Sequence, residues 1–176
     1  AVEAASVVQG RISVNLSGSD FKDGAVAERI VGFLSAAGLD ASRLEIDVTE
    51  TALAGLADAE ILPDLDKLRG AGITVALDDF GTGQSSLRQL LRWPIDTVKI
   101  DREFVRGIAD DPTAAAVIDA VVATARVIGA STVAEGVETD EQAEALTRAG
   151  VGELQGYLYH RPAPIPRSAP GGVEGG

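Results

Sequence analysis

Six short apolar runs alternate with helix-like patterns between residues 11 and 155. That order leaves few folds open. Parallel strands need a long crossover, usually a helix, so βαβα alternation predicts a parallel sheet or barrel. The runs fall at residues 11–16, 43–48, 73–77, 96–100, 131–134 and 152–155. The helix between the first two covers residues 25–37, with Val26, Ile30, Val31 and Leu34 on one face and Gly38 as its stop. A second helical stretch spans residues 57–69, where Pro63 predicts a kink or a late start. A short helix is expected near residues 86–92. Asp111-Pro112 opens the best-marked helix, whose stripe of Val117, Ile118, Val121, Val122, Ala125 and Ile128 runs to Gly129. Thr139 and Gln142 form a capping-box pattern for the next helix, which stops at Gly150.

Polar side chains gather where the strands end. Asn15 closes the first run, Asp47 and Glu50 the second, and Asp78-Asp79 the third. Lys99 and Asp101 belong to the fourth, two apart and so on one face. Glu135 follows the fifth run with Glu138 behind it, and Gln155 ends the sixth. Barrels carry their chemistry at this carboxyl end. Taken singly, such an acid reads as a helix cap or a solvated loop residue, and Asp101 is read as the cap of a short following helix. Glu138 reads as a supporting or capping residue, and Gly81 with Gly83 either as a simple tight turn or as a place where backbone approaches a ligand. The adjacent carboxylates Asp78 and Asp79 repel each other unless a cation lies between them. Oxygen ligands without histidine or thiolate suit Mg²⁺ or Mn²⁺. A pair of such ions activates water and neutralises a phosphodiester. Lys99, one of three lysines, is expected to stay charged among so many acids and to orient water or a phosphate oxygen.

Composition closes other routes. A net charge of −12 and pI near 4.4 exclude a nucleic-acid polymer as partner, since that role needs lysine and arginine. There are no cysteines, and His160 is the one histidine, so disulfides and a multi-histidine zinc site are out. No run of 18 apolar residues occurs, which predicts a soluble, cytoplasmic chain without membrane contact. On these grounds alone the reading is metal-dependent phosphate chemistry on a barrel, with an aldolase- or enolase-type lyase as rival.

The motifs VNLS (14–17), DVTE (47–50), DDFGTGQSSL (78–87), KID (99–101), AEGVET (134–139) and QGYLYHRP (155–162) resemble, in order and spacing, the EAL domain family of bacterial cyclic di-GMP phosphodiesterases. The resemblance spans about residues 11–162. It implies an α/β fold, a modified eight-stranded TIM-like (β/α) barrel with one antiparallel strand. It also implies hydrolysis of cyclic di-GMP to the linear dinucleotide pGpG with two Mg²⁺ or Mn²⁺ ions. Carried over by motif, Asn15, Asp47, Asp78, Asp79 and Glu135 are metal ligands, and Lys99 contacts the catalytic water. Gln155 supports the metal site, and Glu50 braces the DDFGTG loop. Lys99, Glu135 and Asp78 are then the expected catalytic residues, with Glu50, Gln155, Gly81 and Glu138 binding substrate or supporting.

This sequence departs from the family pattern in three places. The Glu-Ala-Leu segment, with its ligand glutamate, is absent, so residues 1–162 are expected to form a partial EAL domain of about six strands, the family's third to eighth. Asp47 stands where the family has glutamate, and Gln84 where it has tyrosine. Impaired turnover follows; the alternatives are a non-catalytic cyclic di-GMP receptor and a structural or dimerisation fragment. The opening residues read as a helix ending at Gly10 in a piece of a longer chain. The Pro/Gly-rich residues 163–176 are expected to be disordered. A barrel open at both ends predicts marginal stability or self-association, such as a homodimer.

Overall fold

The computed structural model describes residues 10–54, 57–80 and 90–162. At its centre six strands pair in parallel and in sequence order: β1 (Ile12–Leu16), β2 (Leu44–Thr49), β3 (Thr74–Phe80), β4 (Thr97–Ile100), β5 (Ser131–Ala134) and β6 (Glu153–Leu154). A doubly wound sheet reverses its strand order at a switch point. Sequential order is instead that of a barrel wall, in which every right-handed crossover falls on the same side. The sheet is therefore the partial TIM-like barrel that the sequence predicts, with β1 and β6 as its edges.

The helices are α1 (Val26–Ala37), α2 (Glu50–Ala54), α3 (Asp58–Gly70), α4 (Arg102–Gly107), α5 (Pro112–Ile128) and α6 (Asp140–Ala149). Their boundaries follow local chemistry. Asp101 accepts from the Glu103 amide and Asp111 from the Thr113 amide, capping α4 and α5. Thr139 and Gln142 close the expected box on α6. Gly38, Gly129 and Gly150 end α1, α5 and α6 in the left-handed conformation. Ala114, Ile118, Val121, Val122 and Ala125 form the buried face of α5, and Ile61, Leu65 and Leu68 that of α3. These stripes close on Ile46, Val48, Val75, Leu77, Val98 and Ile100, which stand on the helix-covered face of the sheet.

Three local expectations are corrected. The helix α3 starts at Asp58 and runs through Pro63, so there is no late start. Proline removes one helical hydrogen bond and crowds the carbonyl four residues before it, and the buried Ile61, Leu65 and Leu68 hold the segment helical against that cost. Glu50 opens the short α2 rather than closing the preceding strand. On α1, Val31 is exposed and Ala27 is buried in its place. The expected helix end before Gly10, most of the short helix at 86–92, and the tail at 163–176 lie outside the described residues.

The amino ends of the strands are tied by one residue. The Asp96 carboxylate accepts from the Val75 amide at 3.0 Å, and its backbone N–H donates to the Val75 carbonyl at 2.9 Å. The Asp96 carbonyl accepts from the Ser131 amide at 2.8 Å, and Arg69 bonds the same carboxylate at 2.8 Å. One aspartate thus joins β3, β4 and β5 before the sheet proper begins.

Candidate active site on the polar face of the sheet

Strand register decides which side chains share a face, because residues paired across parallel strands point the same way. Ser13 pairs with Glu45, Asn15 with Asp47, Thr49 with Asp78, Lys99 with Val133, and Val133 with Glu153. The face opposite the helices is therefore largely polar, with Ala76 and Val133 as its apolar members. It lines a cavity of about 640 Å³ that includes Asn15, Asp47, Asp78, Lys99, Glu135 and Gln155. Six of the expected site residues thus meet in one place. Arg11, Ser13, Glu45, Thr97 and Glu153 line the same cavity nearer the amino ends of the strands.

Lys99 stands at the centre. Its Nζ donates to Asp47 Oδ2 at 2.6 Å and lies 3.7 Å from both Glu45 Oε1 and Glu135 Oε1. Lys99 is 7% exposed, Glu45 7% and Asp47 4%. One ammonium faces three carboxylates, so negative charge is in surplus around it. Burial pushes the Asp47 and Glu135 carboxyls up; Glu45 and Asp78 add to it at Asp47, and Asp78, Asp47 and Asp79 at Glu135. Asp79 is raised by burial and by Asp78. Burial works against the Lys99 charge, yet the hydrogen bond and charge of Asp47, with Asp78 and Glu135, carry its pKa upward. The ammonium therefore stays charged at neutral pH, as the sequence predicts.

Asp78 and Asp79 do not follow the third strand; they lie within it. The strand runs on to Phe80, and the β3–β4 register shifts between Leu77 and Phe80. Such a bulge re-aims side chains beside a site. Asp79 sits at φ 54°, the sole non-glycine residue with positive φ among those described. Aspartate tolerates that region better than most residues, and such strain collects at functional positions.

The remaining expected residues are placed as follows. Glu50 is 1% exposed at the head of α2. Gln155 is anchored through its backbone, donating to Ala134 O at 2.8 Å and accepting from Val137 N at 3.0 Å. The next residue must be glycine, since a Cβ on Gly156 would stand 2.1 Å from the Val137 carbonyl oxygen. Glu138 is exposed; its amide donates to Gln142 Oε1 at 2.8 Å, and it lies outside the cavity lining. Gly81 lies outside the described residues. The sequence reading missed Glu45 and Arg11. The signal was the alternation Arg11-Ser13-Asn15, Glu45-Asp47, Thr97-Lys99 and Glu153-Gln155, polar at every second residue.

A hard divalent cation suits this donor set. Asp47 Oδ1 is buried without a hydrogen-bond partner, a state that costs energy unless something positive approaches it. All the donors are oxygens, as Mg²⁺ and Mn²⁺ prefer. Among the described residues no three acidic or histidine side chains are gathered closely enough to hold a metal ion as they stand. The short Asp47–Lys99 contact accounts for this in part, since it holds Asp47 Oδ2 on the ammonium.

Comparison with known proteins places this arrangement. The EAL domain model matches residues 3–162. The cyclic di-GMP phosphodiesterase RocR of Pseudomonas aeruginosa is 41% identical over 153 residues, which are 87% of this chain and 39% of RocR. The PaMucR phosphodiesterase, solved as a c-di-GMP complex, superposes with a TM-score of 0.79 at 42% identity, over 88% of this chain and 62% of that one. Klebsiella pneumoniae BlrP1, solved with manganese and cyclic di-GMP, gives 0.81 at 33% identity, over 89% and 41%. The chain spans less than half the length of the curated relatives it matches. With Asn15, Asp47, Asp78, Lys99, Glu135 and Gln155 gathered about one cavity and a family match across all of the described residues, the chain belongs to the EAL domain family.

Proposed function

We propose that residues 1–162 form part of an EAL domain that hydrolyses one phosphodiester bond of cyclic di-GMP, giving linear pGpG. The observation that carries this reading is the buried Lys99 among Asp47, Glu45 and Glu135, beside an unpartnered Asp47 Oδ1. The names of RocR and PaMucR point to the same activity in relatives.

Asn15, Asp47, Asp78, Asp79 and Glu135 would hold two Mg²⁺ or Mn²⁺ ions. When bound, such ions neutralise a phosphodiester and lower the pKa of water. Lys99 keeps its proton and directs an N–H at the attacking water or at a phosphate oxygen. Glu135 and Asp78 border the same space and fix where the phosphate sits. Gln155 supports the site from the β6 end, and Glu50 braces the segment after β3. The partner is cyclic di-GMP, and a cytoplasmic location accompanies it because this nucleotide is intracellular. A homodimer belongs to the same proposal.

A second reading, a receptor that binds cyclic di-GMP without cleaving it, draws on one observation. Asp47, a methylene shorter than glutamate, is already engaged by Lys99 at 2.6 Å. Incubation with cyclic di-GMP and Mn²⁺, followed by chromatography, separates the two. Linear product that disappears in Asp78→Ala supports hydrolysis. A folded sample that binds the nucleotide and leaves it intact supports the receptor.

A further inference from the structure

Three carboxylates surround Lys99, and two of them, Asp47 and Glu135, are the ones a cation would draw on. The third is Glu45. It stands two residues before Asp47 on the same face of β2, one step closer to the amino end of the strand. It is buried and held in place: Ser13 Oγ donates to Oε1 at 3.0 Å, and Arg11 Nη1 to Oε2 at 3.4 Å. The guanidinium side is half exposed, so water screens it and Glu45 keeps much of its charge for the interior. Its Oε1 lies 3.7 Å from Lys99 Nζ, on the axis that leads away from Asp78 and Gln155.

We propose that Glu45 is a positioning residue that keeps Lys99 in place once Asp47 and Glu135 engage a divalent cation. The inference rests on the metal-dependent reading above. Without metal, Asp47 is the chief partner of the ammonium, at 2.6 Å. A cation on Asp47 Oδ1 shares that carboxylate's charge and repels Lys99 from Oδ2. Glu135, half buried at the cavity wall, is drawn the same way. Glu45 is fixed by Ser13 and Arg11 and cannot follow. Glu45 then holds the ammonium from behind through one N–H, which leaves the others for the space where water and phosphate meet.

Lysine side-chain NMR tests this without an activity assay. The chain has three lysines, and Lys22 and Lys67 are exposed. Lys99 is therefore the one expected to give a slowly exchanging ammonium signal. In the 176-residue chain the signal persists with and without Mg²⁺. In Glu45→Gln it persists without Mg²⁺ and is lost when Mg²⁺ is added. An unchanged Lys99 signal in Mg²⁺-loaded Glu45→Gln overturns the proposal, as does loss of the signal before metal is added. The backbone amides of Asn15, Asp47, Asp78 and Glu135 report metal binding in the same spectra. If Mg²⁺ moves none of them, the metal-dependent reading fails and the proposal with it. If they move and Glu45→Gln behaves as the parent, the proposal alone fails. Should Glu45→Gln not fold, Ser13→Ala frees Glu45 instead, and broadening of the Lys99 signal confined to the Mg²⁺ form is expected; a sharp signal overturns the idea.

Discussion

The two faces of the sheet hold together by opposite means. On the helix side, Ile46, Val48, Val75, Leu77, Val98 and Ile100 pack against α3, α5 and their neighbours, and burial of apolar area does the work. On the other side, one ammonium offsets several carboxylates, and the face is left with more negative charge than it can balance. The first face gains from being dry and full. The second is built to receive charge from outside. Val98 and Lys99 are neighbours in one strand and serve these two purposes on opposite sides of it.

The contrast can be broken from either side. Ile118→Ala on the packed side is expected to cost about 2–5 kcal/mol through the cavity it leaves, and neither acid nor Mg²⁺ should restore it. Lys99→Met is expected to cost about 3 kcal/mol at neutral pH, because it strands buried carboxylates without their cation. Mildly acidic pH or added Mg²⁺ should recover much of that loss. Urea denaturation of both variants, with and without Mg²⁺ and at two pH values, checks the pair; equal responses would erase the distinction.

The packed side was the more legible in sequence. The stripe of α5, the caps at Asp101, Asp111 and Thr139, and the glycine stops are local signals that stand where the pattern puts them, while the α1 stripe is turned so that Ala27 replaces Val31. The polar face was read only where strands end. That recovered Asp47, Asp78, Lys99 and Glu135 but passed over Glu45, whose role depends on Ser13 and Lys99, residues 32 and 54 positions away in the chain. The extension of β3 through Asp79 was equally hidden. A bulge and a left-handed aspartate are settled by pairing with β4, which no window around residue 79 contains.

Gly156 joins the two regimes, and its substitution has a smaller expected effect. In Gly156→Ala the new Cβ meets the Val137 backbone. The atoms it meets are Val137 backbone, which cannot give way as a side-chain tip can, so the cost lies at the upper end of the about 1–3 kcal/mol usual for overpacking. The turn after Gln155 must shift, so weaker Mn²⁺ binding should accompany the loss, measurable by calorimetry. If stability falls while Mn²⁺ affinity holds, Gln155 has no part in the metal site.

The smallest expected effect is in the parent chain. Asp47, Asp79 and Glu135 keep protons to higher pH when folded than when unfolded, through burial and mutual repulsion. Between the ordinary carboxylate pKa near 4 and those raised values, the folded state binds more protons. Stability of the metal-free chain therefore falls as pH rises through that window. Asp20, Asp23, Asp40 and Glu141 are shifted the other way, and their contribution is lost only at more acidic pH. Saturating Mg²⁺ should flatten the slope, and melting curves across the window with and without the ion decide it.

The staple at Asp96 has a consequence for how such a chain can change over generations. It fastens three strands at the end remote from Asp78, Glu135 and Gln155. Substitutions among the acids at the far end leave those bonds intact, so the chemistry of the polar face can change on an unaltered frame. A change at Asp96 itself has no such freedom: it would loosen the frame and every inherited specificity together.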